Sequence, residues 1–385
     1  MHAGIRYRER PDLALIAADS EAVAAGVFTR NQFAAAPVLL CREHLKRGQA
    51  RAILVNAGIA NACTGEEGLQ AAREMAGMVA QGLGAPREAI LVASTGVIGA
   101  QIPLLVIETT VPKLIENLRS DGWEDVARAI MTTDTVPKQA STRIVLDGHE
   151  AVISGVAKGA GMIAPDMATL LVFVASDVAV SADALQELLR DAAEASFNRI
   201  TIDGDTSTND TLLALASGRA GNPPITDAAS EAGRVFAAGL QAVLVDLAKQ
   251  IVQDGEGATK FIEVRIVGAA DAESARQVAL TIANSPLVKT ALFGEDANWG
   301  RVVAAAGRAG VAMDPARVAL FFDDVCVFRE GKPVAGPEVE AEASRVFKGK
   351  EITIRLDLGA GHAEYSAYTC DLSYDYVKIN ASYRS

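Results

Sequence analysis

The chain has 385 residues, half of them hydrophobic and 22% charged, with a formal net charge of −12. At about 150 residues per domain this gives two or three domains, and so much apolar material excludes a disordered chain. The acidic balance, with no basic stripe, argues against a nucleic-acid partner.

In chain order, Ala52 to Val55 reads as a buried strand, followed by a loop of small residues, N-A-G-I-A-N-A-C-T-G. A helix is expected over Glu67 to Leu83, and a second strand over Ile90 to Ala93 ends in S-T-G-V-I-G, Ser94 to Gly99. Pro103 suits a first helical turn, with helix over Leu104 to Leu118. Trp123 to Met131 reads as a short amphipathic helix running into Thr132-Thr133-Asp134-Thr135. Arg143 to Leu146 and Ala151 to Ala157 form a hairpin pattern around Asp147-Gly148. Ser181 caps a helix to about Ser196, and Arg199 to Ile202 and Leu212 to Ala216 read as strands.

Thr226 opens the longest helix, with Phe236, Leu240, Val243, Leu244, Leu247 and Ile251 on one face. It runs into D-G-E-G-A-T-K. The final third predicts strand (Phe261 to Val267), helix (Ala270 to Ala283), strand (Leu287 to Phe293) and helix (Trp299 to Ala306). Then come Val318 to Phe322, a helix from Pro337, and strands near Ile352 to Leu358 and Glu364 to Cys370. The pattern is layered α/β with largely antiparallel or mixed sheets.

No apolar run reaches the roughly 18 residues of a membrane span, and the start, MHAGIRYRERPDL, has no signal-type apolar stretch. Cys41, Cys63, Cys326 and Cys370 stand singly, as do His2, His44, His149 and His362. That spacing suits a cytoplasmic protein with neither a disulfide framework nor a zinc cluster. No G-x-G-x-x-G or P-loop follows a strand, so a bound nucleotide has no motif.

The most unusual segment is K-G-A-G-M-I-A-P-D-M-A-T, Lys158 to Thr169. Gly159 and Gly161 open conformations closed to other residues, and Pro165 fixes φ and restricts Ala164. One reading is a glycine-rich loop entering a buried strand, with Thr169 an ordinary β-former. The other is a nucleophilic threonine. A hydroxyl nucleophile needs an adjacent base, and a threonine that becomes a chain N-terminus carries one in its α-amine, with pKa near ~7.7–8.0. That requires a cut between Ala168 and Thr169, which backbone strain can promote.

This segment resembles the ornithine acetyltransferase (glutamate N-acetyltransferase) family of arginine biosynthesis, whose members cleave themselves before such a threonine. The resemblance runs along the whole chain: Asn61 to Gly68, Ser94 to Gly99, Thr132 to Thr135, Asp254 to Lys260, Asn284 to Thr290, Asn298 to Arg301 and Tyr376 to Ser385. It implies Thr169 as nucleophile and new N-terminus, and Thr95 and Gly96 as the oxyanion site. It also implies substrate contacts at Thr132 (with Thr133 the neighbouring alternative), Lys158, Thr169, Glu256, Asn380 and Ser385. Glu256 would face the δ-ammonium of ornithine. The sequence departs from the common family pattern at Ala57, Ile59, Ala160, Ala164, Asp166 and Ser385. Ala164 and Asp166 bear on the rate of self-cleavage.

The fold so implied is α/β, an α-β-β-α sandwich over residues 1–280 followed by a smaller C-terminal α/β domain over 281–385. The implied reaction moves the acetyl group of N2-acetyl-L-ornithine to L-glutamate through an acetyl-threonine. No metal or bound cofactor is implied, acetyl-CoA serves some members as co-substrate, and two cleaved protomers commonly pair into a heterotetramer. The rival reading is an amidohydrolase or aminopeptidase using the same N-terminal-nucleophile logic.

Overall fold

The computed structural model describes residues 1–164 and 170–382. The chain divides into two compact units, Met1–Asn198 with Asp205–Ile251, and Arg199–Gly204 with Val252–Ser385.

The first unit comprises β1 (Leu13–Phe28), α1 (Ala36–His44), β2 (Gln49–Ile59), α2 (Gly65–Leu83), β3 (Ile90–Val97), α3 (Leu104–Glu116), α4 (Trp123–Ala129), β4 (Lys138–Leu146), β5 (His149–Lys158), β6 (Leu171–Ser176), α5 (Ala182–Glu194), β7 (Thr211–Ala216) and most of α6 (Glu231–Gln253). Its seven strands form one mixed sheet in the order β3-β2-β1-β7-β6-β5-β4. Most of β2, including its apolar run Ala52 to Val55, is buried, whereas β4 alternates half-buried and exposed positions between its two buried ends. Alternate residues of β5 serve opposite faces. Val156 joins the core that α1 to α4 contribute to, while Leu247 of α6 packs at Gly155. α6 is long and apolar enough to cross a bilayer. Its Phe236, Leu240, Val243, Leu244, Leu247 and Ile251 are instead buried, which makes it a core helix.

β1 pairs with β2 through its first half and with β7 through its second, with the register shifting between Ala17 and Ala22. The sheet curls. In the strand order β3 and β7 stand three spacings apart, about 14 Å in a flat sheet. Yet Asn209, two residues before β7, bonds directly to the carbonyl of Ser94 in β3 at 2.8 Å.

The second unit comprises β8 (Phe261–Ala269), α7 (Ala272–Ala283), α8 (Pro286–Phe293), α9 (Trp299–Gly307), β9 (Ala319–Phe322), β10 (Val325–Arg329), β11 (Lys332–Pro333), α10 (Pro337–Phe347), β12 (Glu351–Asp357), β13 (Ala363–Cys370) and α11 (Tyr374–Ala381). Its sheet runs β11-β10-β9-β12-β8-β13. Asp271 caps α7 by accepting from the Ser274 amide at 2.7 Å. Ile262, Val264 and Ile266 of β8 share a core with Val278 and Ile282 of α7 and Phe322 and Phe347.

The expected α/β class is found, and the structure has two mixed sheets, one in each unit. The division between units differs from the expected 280/281 boundary and falls at 251/252. The reason is β8, which pairs with β12 and β13 and so belongs with the C-terminal strands. Leu287 to Phe293, expected as a strand, is helix α8. A short apolar run fits either state, and Pro286 in the first turn decides for helix. Arg199 to Ile202 contributes only an isolated bridge, Ile200 to Tyr368.

Candidate active site

In the first unit, β3 carries Ser94, Thr95 and Gly96 near its C-terminal end. Thr95 is buried and lies in the parallel ladder with β2, opposite Ala57. Gly96 has φ of +131° and faces Gly58. A Cβ on it would stand 2.2 Å from the Gly58 carbonyl carbon, so no side chain fits. The preceding residue is fixed by side chains. The Ser94 hydroxyl donates to Asn56 Oδ1 at 2.5 Å, and its carbonyl accepts from Asn209 Nδ2.

The second group centres on Asp134, in the turn after α4. Asp134 accepts from Lys138 Nζ at 2.8 Å, from the Gly159 amide at 2.7 Å and from the Thr132 amide at 3.0 Å. Lys158 Nζ lies 3.9 Å from Oδ2, the oxygen that accepts from the Thr132 amide, while Lys138 and Gly159 share Oδ1. Asp134, Lys138 and Lys158 are all buried. Burial alone would raise the Asp134 carboxyl pKa. The charges of Lys158 and Lys138, with the Lys138 and Thr132 hydrogen bonds, hold it far below the usual carboxylate range. Asp134 therefore organises two expected substrate residues, Thr132 through its amide and Lys158 through its charge.

The third group lies at the start of β6 and β7. Lys158 at the end of β5 is opposite Leu171, and Leu171 is opposite Thr211. The Leu170 amide donates to Asp210 Oδ1 at 3.0 Å. Asp210 is fully buried, and its Oδ2 has no hydrogen-bond partner among the described residues. Burial pushes this carboxyl well above its ordinary value, outweighing hydrogen bonding from Leu170, Thr29 and Ser207 and the Lys158 charge.

In the second unit, Glu256 is buried and accepts from Asn380 Nδ2 of α11 at 2.7 Å. The loop and α11 lie close together at Gly257, whose φ is +69°. A Cβ there would meet the Tyr376 amide nitrogen at 2.6 Å. The Ser373 hydroxyl donates to the Gly257 carbonyl at 2.6 Å.

The structure thus unites Thr132 with Lys158 through Asp134, and Glu256 with Asn380. Thr95 and Gly96 adjoin Ser94, which Asn209 ties to the strand start bearing Leu170. Ala168, Thr169, Asp166 and Ser385 lie outside the described residues. Sequence reasoning missed Asp134 as the hub, although it stands inside the T-T-D-T run. It also passed over Asn209 and Asp210, whose signal is a polar stretch, D-G-D-T-S-T-N-D, directly before a six-residue apolar strand. Among the described residues no group of His, Cys, Asp and Glu could hold a metal ion.

Buried charges gathered where strands end, beside a glycine turn too tight for any side chain, mark an enzyme of the mixed α/β class. The chain matches the ArgJ family over residues 1–385 and belongs to it. The arginine biosynthesis bifunctional protein ArgJ of Symbiobacterium thermophilum is 51% identical over 376 residues, spanning 98% of this chain and 93% of its own. Its namesake from Geobacter sulfurreducens is 49% identical over 385 residues, spanning 100% and 98%. A crystal structure of arginine biosynthesis bifunctional protein ArgJ from Bacillus halodurans aligns with TM-score 0.52 and 41% identity, covering 54% of this chain and 97% of that one.

Proposed function

We propose that this protein transfers the acetyl group of N2-acetyl-L-ornithine to L-glutamate in arginine biosynthesis, after cutting itself before Thr169. The observation that carries this reading is the match to the ArgJ family along the entire chain. The amidohydrolase alternative is not favoured, because relatives named for arginine biosynthesis match at about half identity over nearly all of it. A solved family chain aligned over only 54% of this one is what a separated fragment gives.

In this reading the Thr169 hydroxyl attacks the acetyl carbonyl and its proton passes to the Thr169 α-amine. Thr95 and Gly96 donate to the developing oxyanion. The bond from carbonyl carbon to ornithine nitrogen breaks, the amine takes the proton, and acetyl-Thr169 remains. The α-amine of glutamate then attacks the ester carbonyl, the bond from that carbon to Thr169 Oγ breaks, the proton lost by the glutamate amine passes through the Thr169 α-amine to Oγ, and N-acetylglutamate leaves the hydroxyl free. Lys158 and Thr132 bind substrate beside Asp134, Glu256 faces the δ-ammonium, and Asn380 and Ser385 complete the contacts. The reaction uses no metal or resident cofactor. Because the relatives are named bifunctional, acetyl-CoA is proposed as a second acetyl donor to glutamate. The working form is proposed to be a cytoplasmic heterotetramer of two cleaved protomers.

The test is incubation with labelled N-acetylornithine alone, followed by peptide mapping. Label on Thr169, in a fragment beginning at that residue, is the expected result. A single full-length mass after prolonged incubation, with undiminished activity, refutes self-processing.

A further inference from the structure

Asn209 and Asp210 are adjacent in the chain and reach in two directions. Asn209 Nδ2 donates to the carbonyls of Ala60 at 2.6 Å and Ser94 at 2.8 Å, and its Oδ1 accepts from the Thr208 hydroxyl at 2.6 Å. Two carbonyls on one side and a hydroxyl on the other admit only this orientation of the amide. Asp210 Oδ1 accepts from the Leu170 amide. Ser94 precedes the oxyanion residues Thr95 and Gly96. Leu170 follows Thr169, and its amide nitrogen belongs to the peptide that joins the two.

We infer that Asn209 and Asp210 form a two-residue clamp that sets the spacing between Leu170, the residue after the nucleophile, and the oxyanion strand. Both are positioning residues for the reaction proposed above, on which this inference rests. A cut before Thr169 would leave its peptide to Leu170 as the only covalent tether of the nucleophile, so the amide that Asp210 holds becomes its nearest fixed point. Asn209 holds the other half of the site, and one peptide bond connects the two anchors. Asp210 is needed as a hydrogen-bond acceptor rather than as a charge. Its complete burial in a chain where Lys158 already faces the Asp134 carboxylate fits a neutral carboxyl, and the upward shift of its pKa agrees.

The experiment uses the full chain and measures the rate of Thr169 acetylation by labelled N-acetylornithine in a single turnover. The amplitude of ornithine release counts competent sites, so misfolding lowers the amplitude while a displaced oxyanion strand lowers the rate constant. Asn209→Ala is expected to lower the rate constant roughly 100-fold with KM within about threefold, since small misplacements cost about that much. Asp210→Ala is expected to do the same and to slow the cut before Thr169, whereas Asp210→Asn, a neutral isostere with the same acceptor, rescues both. A rate constant for Asn209→Ala within about threefold of the parent, or an Asp210→Asn variant as impaired as Asp210→Ala, overturns the clamp. Thr169→Ala separates this from failure of the underlying reading: acetyl transfer by that variant sinks the mechanism, whatever the clamp variants do.

Discussion

Gly96 and Gly58 face each other across the β2–β3 ladder so closely that a methyl group on Gly96 would fall 2.4 Å from the Gly58 carbonyl oxygen. The turn proposed to bind the oxyanion is therefore shaped by two backbones in contact, with no side chain between them. Gly96→Ala must push β2 and β3 apart at that point and also adopt a φ of +131°. The expected cost is about 1–3 kcal/mol of stability, with a roughly 100-fold loss of acetyl transfer. Thermal unfolding and steady-state kinetics check both, and an alanine variant with parental kcat contradicts the assigned turn.

Asp134 supplies a pH-dependent prediction. Its carboxyl is held low in the folded chain, so its contribution is complete above the unfolded pKa of about 3.9 and is lost as pH falls toward the folded value. Asp134→Asn removes the carboxylate that buried Lys138 and Lys158 both face, at a cost of about 3–5 kcal/mol near pH 7. The gap between parent and variant should narrow below about pH 4. Denaturant unfolding at several pH values measures it, and a gap that stays constant with pH rules out the ion pair as its source.

Glu256 and Asn380 separate binding from chemistry. Under the proposed reaction Glu256→Gln removes the negative partner of the ornithine ammonium while keeping an acceptor for Asn380. KM for N-acetylornithine should rise roughly tenfold to hundredfold, the range of a charged hydrogen bond, with kcat little changed. An unaltered KM would assign Glu256 to holding α11 in place.

The cysteines should differ sharply in reactivity. Cys41 is fully buried and its thiol is pushed up to about 12, and burial also raises Cys370. Cys63 is exposed. Brief iodoacetamide treatment near pH 8 should label Cys63 well before Cys41 or Cys370, because the thiolate is the reacting form. Mass mapping that finds Cys41 modified first disproves the packing around it.

Much of this was legible in the chain. The three-and-four spacing of Phe236 through Ile251 predicts a helix and the structure has one, because that periodicity reports burial directly. β1 was invisible for the opposite reason. Leu13–Phe28 is rich in alanine, and Asp19-Ser20-Glu21 interrupts it where the register shifts, so its extended form depends on β2 and β7 flanking it. For the site, sequence motifs named Thr95, Gly96, Lys158 and Glu256, which touch substrate in the proposed reaction. They did not reveal Asp134, Asn209 and Asp210, whose roles come from what the curled sheet brings beside them.

The order of strands carries one more consequence. β6 and β7 lie between β1 on one side and β5 on the other. A chain severed before residue 169 would therefore have its two pieces interleaved at the centre of a single sheet. Each would lack neighbours for its backbone without the other, and pulling them apart would open the β1–β7 and β5–β6 ladders together. Hydrolysis of that one peptide bond would alter the chemistry of the chain while leaving both pieces laced into one sheet.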